Sequence, residues 1–350
     1  MMMMIIMMMI PILLLLSLLS LSLSMVTNKI PLVISSEMFM LHSSSSYHPE
    51  SPDRIKATLP ILQGLHNDKK IRLKIPLAEE KELSNDKQGY NHVMQEALNV
   101  IKKVHAESYI RQVKGASESG SKTISWEDSD TYVNQYSFKQ CVMAQSAWLE
   151  AIKEVVNMGN MGFACVRPPG HHAVYSRSMG FCIFNFAVGA AIYALETLGL
   201  NKVAVLDFDV HYGNGVADLI TSNPNIRYVS LHEDIFPFSG KTDVTGDHNN
   251  IKNIILDSST TIETYEKKLI TEAIPWLLEF KPDILIVSAG YDALASDDLS
   301  SIMLTSSDYG IIAKHLKDNF GTRICFGLEG GYNIKDLPFA IKETIIPFTI

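Results

Sequence analysis

Short apolar runs rich in β-branched residues recur along the chain, separated by longer amphipathic stretches, and this alternation limits the fold more than any other feature. PLVIS (31–35), FACV (163–166), KVAVLDF (202–208), IRYVSL (226–231), NIIL (253–256), DILIVSA (283–289) and RICFGL (323–328) have the length and residue types of buried strands. Between them, FKQCVMAQSAWLEAIKEVV (138–156), NFAVGAAIYALETLG (185–199) and IETYEKKLITEAIPWLLEF (262–280) are helical stretches. Strands alternating with helices imply parallel pairing through crossover connections. The expected fold is therefore α/β, a single domain with a central, mostly parallel β-sheet flanked by helices on both faces. No internal repeat or long low-complexity linker divides residues 30–350, and the SSSS run at 43–46 reads as a loop.

Several of these strands run straight into polar sequence. FACV is followed by RPPGHHA, VAVLDF by DVHYGNG, ILIVSA by GYDA and ICFGL by EGGYN. In open α/β sheets, ligands bind in the crevice outside the carboxyl ends of the strands, so these clusters are expected to converge on one site. Alternate residues of a strand share a face, which aims Asp209 and His211 the same way if the extended geometry persists past Phe208. A carboxylate and an imidazole are ordinary zinc ligands, and a catalytic zinc takes about three protein ligands with one position open. Asp292 also follows a strand end, with Gly290 before it to permit a sharp turn, and is the candidate third ligand. Taken singly, each cluster has a blander reading: an aspartate that caps a helix or closes a turn, or a histidine pair in a loop. The metal reading rests on their coincidence.

The motifs resemble those of the zinc-dependent histone deacetylases and acetylpolyamine amidohydrolases of the arginase-deacetylase fold. HPESPDRI (48–55), VHAESYI (104–110), DTYV (130–133), RPPGHHA (167–173), MGFCIFN (179–185), DFDVHYGNG (207–215), SAGYDA (288–293) and LEGGYN (328–333) look like family motifs and stand in family order, so the resemblance runs from about Ile30 to the end. GYDA and LEGGYN are most similar to the class II and bacterial-type branch. The resemblance implies one Zn²⁺ per chain, held by Asp209, His211 and Asp292. It makes His171 and His172 the tandem histidines, the second moving protons and the first orienting, with Asp207 beside His171 and Asn214 beside His172. Tyr332 matches the tyrosine that hydrogen-bonds the substrate carbonyl. Phe181 and Phe236 match the aromatic walls of an acyl-lysine tunnel, alongside Gly180 and Leu299. A K⁺ site beneath the zinc is implied at Asp207, Ser230 and the backbone oxygens around Asp209, His211 and Leu231.

The implied activity is metal-assisted hydrolysis of the amide of N-acetyl-lysine in proteins or peptides. The alternatives are a deacetylase of acetylated polyamines or other small acyl-amides, and a non-catalytic acyl-lysine binding module. Leu299 offers no charge where polyamine enzymes can place a glutamate, which favours acetyl-lysine; Glu233, Asp234, Asp297 and Asp298 are candidates for an acidic rim that would attract a cationic chain. Two stretches depart from the family pattern. FPFSGKTDVTGDHNNIKNIIL (236–256) replaces a compact PGTG turn, and Asp297, Asp298, Leu299 stands where DPL is common, so a reshaped rim is expected. A two-metal ureohydrolase of the same fold would need a second ligand set, and a Rossmann dehydrogenase a G-x-G-x-x-G after an early strand; the sequence has neither.

A formal net charge of -8 gives no basic stripe for a phosphate backbone, so direct nucleic-acid binding is not expected. Cys141, Cys165, Cys182 and Cys325 form no C-x-x-C pair, which suits a reducing compartment such as the cytoplasm or nucleus. Met1 to Ser24 is a continuous apolar run with no preceding Lys or Arg. Three readings stay open for it: a secretory or organellar signal, an anchor that alone would bring the chain to a membrane, or a non-native extension upstream of Met25.

Overall fold

The computed structural model describes residues 30–349, so the apolar extension 1–24 lies outside the described residues. Eight strands form one sheet: β1 (Leu32–Ile34), β2 (Arg72–Lys74), β5 (Gly162–Ala164), β6 (Val203–Asp207), β7 (Ile226–Glu233), β8 (Ile251–Leu256), β9 (Ile284–Ala289) and β10 (Ile324–Leu328). A separate antiparallel hairpin pairs β3 (Thr123–Ser125) with β4 (Asp128–Tyr132). The order across the sheet is β2-β1-β5-β10-β9-β6-β7-β8, and every pairing in it is parallel. Parallel strands covered on both faces require near-continuous apolar runs. β6, β9 and β10 are buried at every position, as VAVLD, ILIVSA and ICFGL demand.

All seven expected strands are present in the sheet, with boundaries moved by a few residues. The sequence reading missed β2, whose RLK is half polar and pairs only with β1 at the sheet edge. The helix expected at 138–156 spans Ser137–Met158 and packs on β1, β5 and β10, where Trp148 occupies the space that a side chain at Gly327 would need. The stretch 262–280 is not a continuous α-helix. A π-helical turn at Leu269–Ala273 separates Ile262–Lys268 from Ile274–Glu279. Pro275, which lacks an N–H, follows that turn directly, and a π-turn accommodates the missing donor. Among the described residues no helix is long and apolar enough to cross a membrane.

The four strands that end in polar sequence, β5, β10, β9 and β6, are contiguous in the sheet. Their carboxyl ends therefore open on one edge, and the loops that follow them meet there.

Candidate active site

Asp207 ends β6, and the chain beyond it folds back so that Asp209 and His211 face the loop after β9. His211 Nδ1 lies 3.1 Å from Asp209 Oδ1 and 3.0 Å from Asp292 Oδ2, and the three candidate ligand atoms all fall within 4.8 Å of one another. Two carboxylates and an imidazole converging in a buried pocket are a donor set that fits a divalent ion. Burial opposes a charge on His211, but its bonds to Asp209 and Asp292 push it up to about 10. Burial, with Asp209 beside it, pushes Asp292 up to about 7, while His171 and His211 outweigh burial to hold Asp209 below the usual carboxylate range. Gly290 serves close packing here and not the turn expected of it: a Cβ there would sit 2.1 Å from Asp209 Oδ2.

The loop after β5 brings His171 and His172 beside this trio. His171 Nδ1 lies 3.0 Å from Asp207 Oδ2, and its Nε2 lies 3.7 Å from Asp209 Oδ1. Burial would lower its pKa, but Asp209 and Asp207 together hold it well above the ordinary value. His172 is the opposite case. Burial, reinforced by His171 and His211, holds it well below the ordinary value, and among the described residues its ring is hydrogen-bonded to the neutral Asn214, whose Oδ1 is 2.7 Å from His172 Nδ1. Accepting at Oδ1 places the imidazole proton on Nδ1 and leaves the Nε2 lone pair unengaged by Asn214.

A cavity of about 370 Å³ opens above the trio, within the size range of small-ligand sites, and His172, His211, Gly180, Phe181, Phe236, Leu299 and Tyr332 all line it. The Phe181 ring meets Tyr332 edge-on at 5.7 Å between centroids, and Phe236 meets His172 edge-on at 5.2 Å. Burial keeps the Tyr332 phenol far above its ordinary pKa and so protonated. Asp207 stands opposite Ser230 in the β6–β7 register, with Leu231 next in β7, so these three of the residues expected at a K⁺ site share one corner of the sheet. Asp207 is engaged there by the Tyr228 hydroxyl at 2.9 Å, and Ser230 by His232 at 2.8 Å.

The expected acidic rim is only partly there. Glu233 and Asp297 are buried: Glu233 accepts from the Ser301 N–H at 3.0 Å, and Asp297 accepts from three backbone N–H groups. Asp234 is paired with Lys241. The acidic side chains at the cavity mouth come instead from the β3–β4 hairpin, as Glu127, Asp128 and Asp130. That hairpin also steadies the cavity wall. Phe181 has left-handed backbone at φ 68°, and its N–H donates to Thr131 Oγ1 at 3.1 Å.

A family model for the histone deacetylase domain matches residues 48–345. The chain belongs to that family. It is 32% identical over 319 residues to "Histone deacetylase 10, chloroplastic" of Oryza sativa subsp. japonica, covering 86% of this chain and 69% of that protein. A "Probable deacetylase" of Methanothermobacter thermautotrophicus is 34% identical over 257 residues, covering 72% of this chain and 75% of that one. The crystal structure of the HDA15 HD domain superposes with a TM-score of 0.80 at 27% identity, covering 92% of this chain and 89% of that one. The α/β fold with its eight-stranded parallel sheet is therefore the fold of a histone deacetylase domain.

Four buried charged residues inside the quoted motifs, Glu50, Arg54, Arg167 and Glu329, received no role from the sequence. Glu329 of LEGGYN is buried, and its Oε2 accepts from the Gly170 N–H at 2.6 Å and the His171 N–H at 3.0 Å, tying the histidine loop to β10. It also forms a metal-sized trio with His171 and Cys182. That trio reads as hydrogen-bonded structure, because His171 is engaged by Asp207, Glu329 by the N–H groups, and burial keeps the Cys182 thiol protonated. Arg54 and Arg167 are both fully buried and share Glu50, linking HPESPDRI to RPPGHHA. Charged residues just past apolar strands were the available signal, since such residues are rarely buried unless paired.

Proposed function

We propose that this chain is a zinc-dependent amidohydrolase that removes the acetyl group from N-acetyl-lysine in proteins or peptides. The observation that carries the reading is the meeting of Asp209, His211 and Asp292 within 4.8 Å of one another, with His211 reaching a cavity that His172 and Tyr332 also line. Asp209, His211 and Asp292 would hold the ion. Bound there, zinc would supply Lewis-acid polarisation of the amide carbonyl and acidify a water molecule.

The chain's own residues account for the proton inventory. His172, neutral and oriented through Asn214, takes a proton from water as its oxygen bonds the acyl carbon, and returns it to the lysine nitrogen as the C–N bond breaks. His171, kept cationic by Asp207 and Asp209, supplies fixed positive charge beside the reacting centre. Tyr332 donates its phenolic proton as a hydrogen bond to the carbonyl oxygen, where negative charge develops. Phe181, Phe236, Gly180 and Leu299 present apolar surface suited to a methylene stem. K⁺ at Asp207, Asp209, His211, Ser230 and Leu231 is part of the same reading. The acidic hairpin residues Glu127 and Asp130 at the mouth favour a cationic substrate, and so keep acetylated polyamines as the second reading.

A turnover panel of acetyl-lysine peptides, longer acyl-lysines and N-acetylated polyamines, with and without a zinc chelator, tests this. Chelator-sensitive hydrolysis of the peptides is expected; hydrolysis of none of the panel would leave only a binding module. In a Tyr332→Phe variant, kcat is expected to fall by roughly 10² to 10³ with metal content unchanged. Near wild-type turnover would remove the phenol from the reaction. Metal loading also has a proton signature. His211 must give up the proton that its two carboxylate neighbours hold at neutral pH, and Asp292 the fraction it carries, so binding is expected to release between about one and two protons per ion and to weaken as pH falls. Calorimetric titration of Zn²⁺ in buffers of different ionisation enthalpy measures this directly; a heat independent of buffer would contradict it.

A further inference from the structure

Asp297 and Asp298 are consecutive in the loop that follows Asp292, and their fates are opposite. Asp298 is exposed, whereas Asp297 is buried and its carboxylate is satisfied by backbone N–H groups. Its two oxygens divide between two loops. Oδ1 accepts from the Leu299 N–H at 3.1 Å within its own loop, while Oδ2 accepts from the Tyr332 N–H at 2.6 Å and the Asn333 N–H at 3.1 Å across the gap. Asn333 answers by donating from Nδ2 to the Ser296 carbonyl at 2.6 Å. On the other side, Arg54 Nε donates to the Gly331 carbonyl at 2.7 Å, Arg54 also donates to the Glu329 carbonyl, and its guanidinium lies 5.1 Å from the Tyr332 ring centroid.

The segment therefore has a buried cation on its carbonyl groups and a buried anion on its N–H groups. Such a clamp has work to do, because Gly331 is held at φ 107°, a conformation that glycine adopts freely but does not itself enforce. A net change in the Gly331 dihedrals would redirect the chain at Tyr332 and with it the phenol.

We infer that Asp297 is a positioning residue for Tyr332: it fixes the direction in which the phenol enters the cavity and ties that direction to the rim residue Leu299. The inference deepens the proposed function and rests on Tyr332 being the donor to the substrate carbonyl. A misplacement of about 1 Å can cost on the order of 10² in rate, which sets the scale of the effect.

Asp297→Ala removes both acceptor oxygens, and Asp297→Asn keeps the shape with a single one, so the second variant carries the test where the first fails to fold. On an acetyl-lysine peptide, kcat is expected to fall roughly 10- to 100-fold in Asp297→Ala and less in Asp297→Asn, with KM within about twofold and bound metal unchanged. In a Tyr332→Phe background the same substitutions are expected to change kcat by less than about twofold, since residues that act through one group are not additive. Equal fold losses in both backgrounds, or a change in KM alone, overturn the inference. Amide hydrogen exchange gives a readout independent of turnover: the Tyr332 and Asn333 amides are expected to exchange faster in Asp297→Asn than in the parent chain. Unchanged exchange overturns the clamp whatever the activity. Faster exchange together with full turnover by Tyr332→Phe would strike the catalytic reading of Tyr332 and leave the clamp standing.

Discussion

An Asp292→Ala variant is expected to lose bound zinc and, with it, amide hydrolysis by roughly 10³-fold or more. The magnitude follows from the several kcal/mol of transition-state charge stabilisation that a Lewis-acid ion supplies, at 1.36 kcal/mol for each factor of ten. Asp292 is the sharpest place to test the metal site, because it is the ligand candidate that comes from a different strand. Asp209 and His211 share one stretch of chain, whereas Asp292 closes the set from β9. Its two oxygens also do different things: Oδ2 faces His211, while Oδ1 accepts from the Val210 N–H at 2.9 Å. Removing the side chain therefore leaves one buried N–H without a partner, a cost of about 1–3 kcal/mol that a folded family domain can carry. Elemental analysis of the purified variant, alongside circular dichroism to establish folding, separates the two effects. A folded Asp292→Ala chain with one zinc per molecule would exclude Asp292 as a ligand. Asn214→Ala is expected to act differently, with metal retained and the rate lowered, because only the orienting partner of His172 is lost.

How far the sequence could be read depended on whether a feature was written locally. The sheet was legible because β6, β9 and β10 are buried on both faces and so are apolar without interruption, a pattern that few other elements share. β2 was not, because an edge strand touches one neighbour and tolerates Arg72 and Lys74. The β3–β4 hairpin was hidden for a related reason: SWEDSD carries turn-forming polar residues and almost no apolar alternation, yet it places Glu127 and Asp130 at the cavity mouth. Within the site, the alternation of Asp209 and His211 pointed to a shared face. The difference between His171 and His172 was implied by the resemblance alone; its physical cause lies in contacts between distant segments, Asp207 and Asp209 beside the first and burial with a neutral Asn214 beside the second. Asp297 and Asp298 repeat the lesson. Neighbouring carboxylates of one loop were grouped as rim charge, and three-dimensional contacts to Tyr332 and Asn333 bury one of them.

The buried ion pair beneath the site carries the largest expected effect on stability. Arg167 donates to Glu50 through two nitrogens, Nε at 2.5 Å to Oε1 and Nη2 at 2.7 Å to Oε2, and also to the carbonyl groups of Phe39 at 2.8 Å and His42 at 3.1 Å. In Arg167→Met, Glu50 keeps Arg54, 3.3 Å away, and the Tyr132 hydroxyl at 2.8 Å, but loses its two-point partner. Breaking a buried pair on one side typically costs about 3–5 kcal/mol, and here the buried carboxylate is left with the weaker of its two guanidinium partners. Urea denaturation is expected to report a loss of that size. Arg167→Met combined with Glu50→Gln should be no more stable than Arg167→Met alone, since the buried Arg54 then loses its carboxylate partner. The pH dependence has a definite sign. Burial disfavours the Glu50 charge, but Arg167, then His42 and Arg54, outweigh it and hold the carboxyl below its ordinary range. In the parent chain this stabilisation is present above the unfolded carboxyl pKa of about 4.3 and is lost as pH falls through the folded value. In the variant Arg167, the largest of these partners, is gone while burial stays, so the carboxyl is expected to rise and its protonation to relieve part of the cost. The stability gap between parent and variant is therefore expected to narrow as pH falls from 7 toward about 4. A constant gap across that range would mean that Glu50 is charged in neither chain or equally compensated in both. Activity should fall with stability, because Glu50 also holds Arg54, and Arg54 holds the Gly331 carbonyl beside Tyr332.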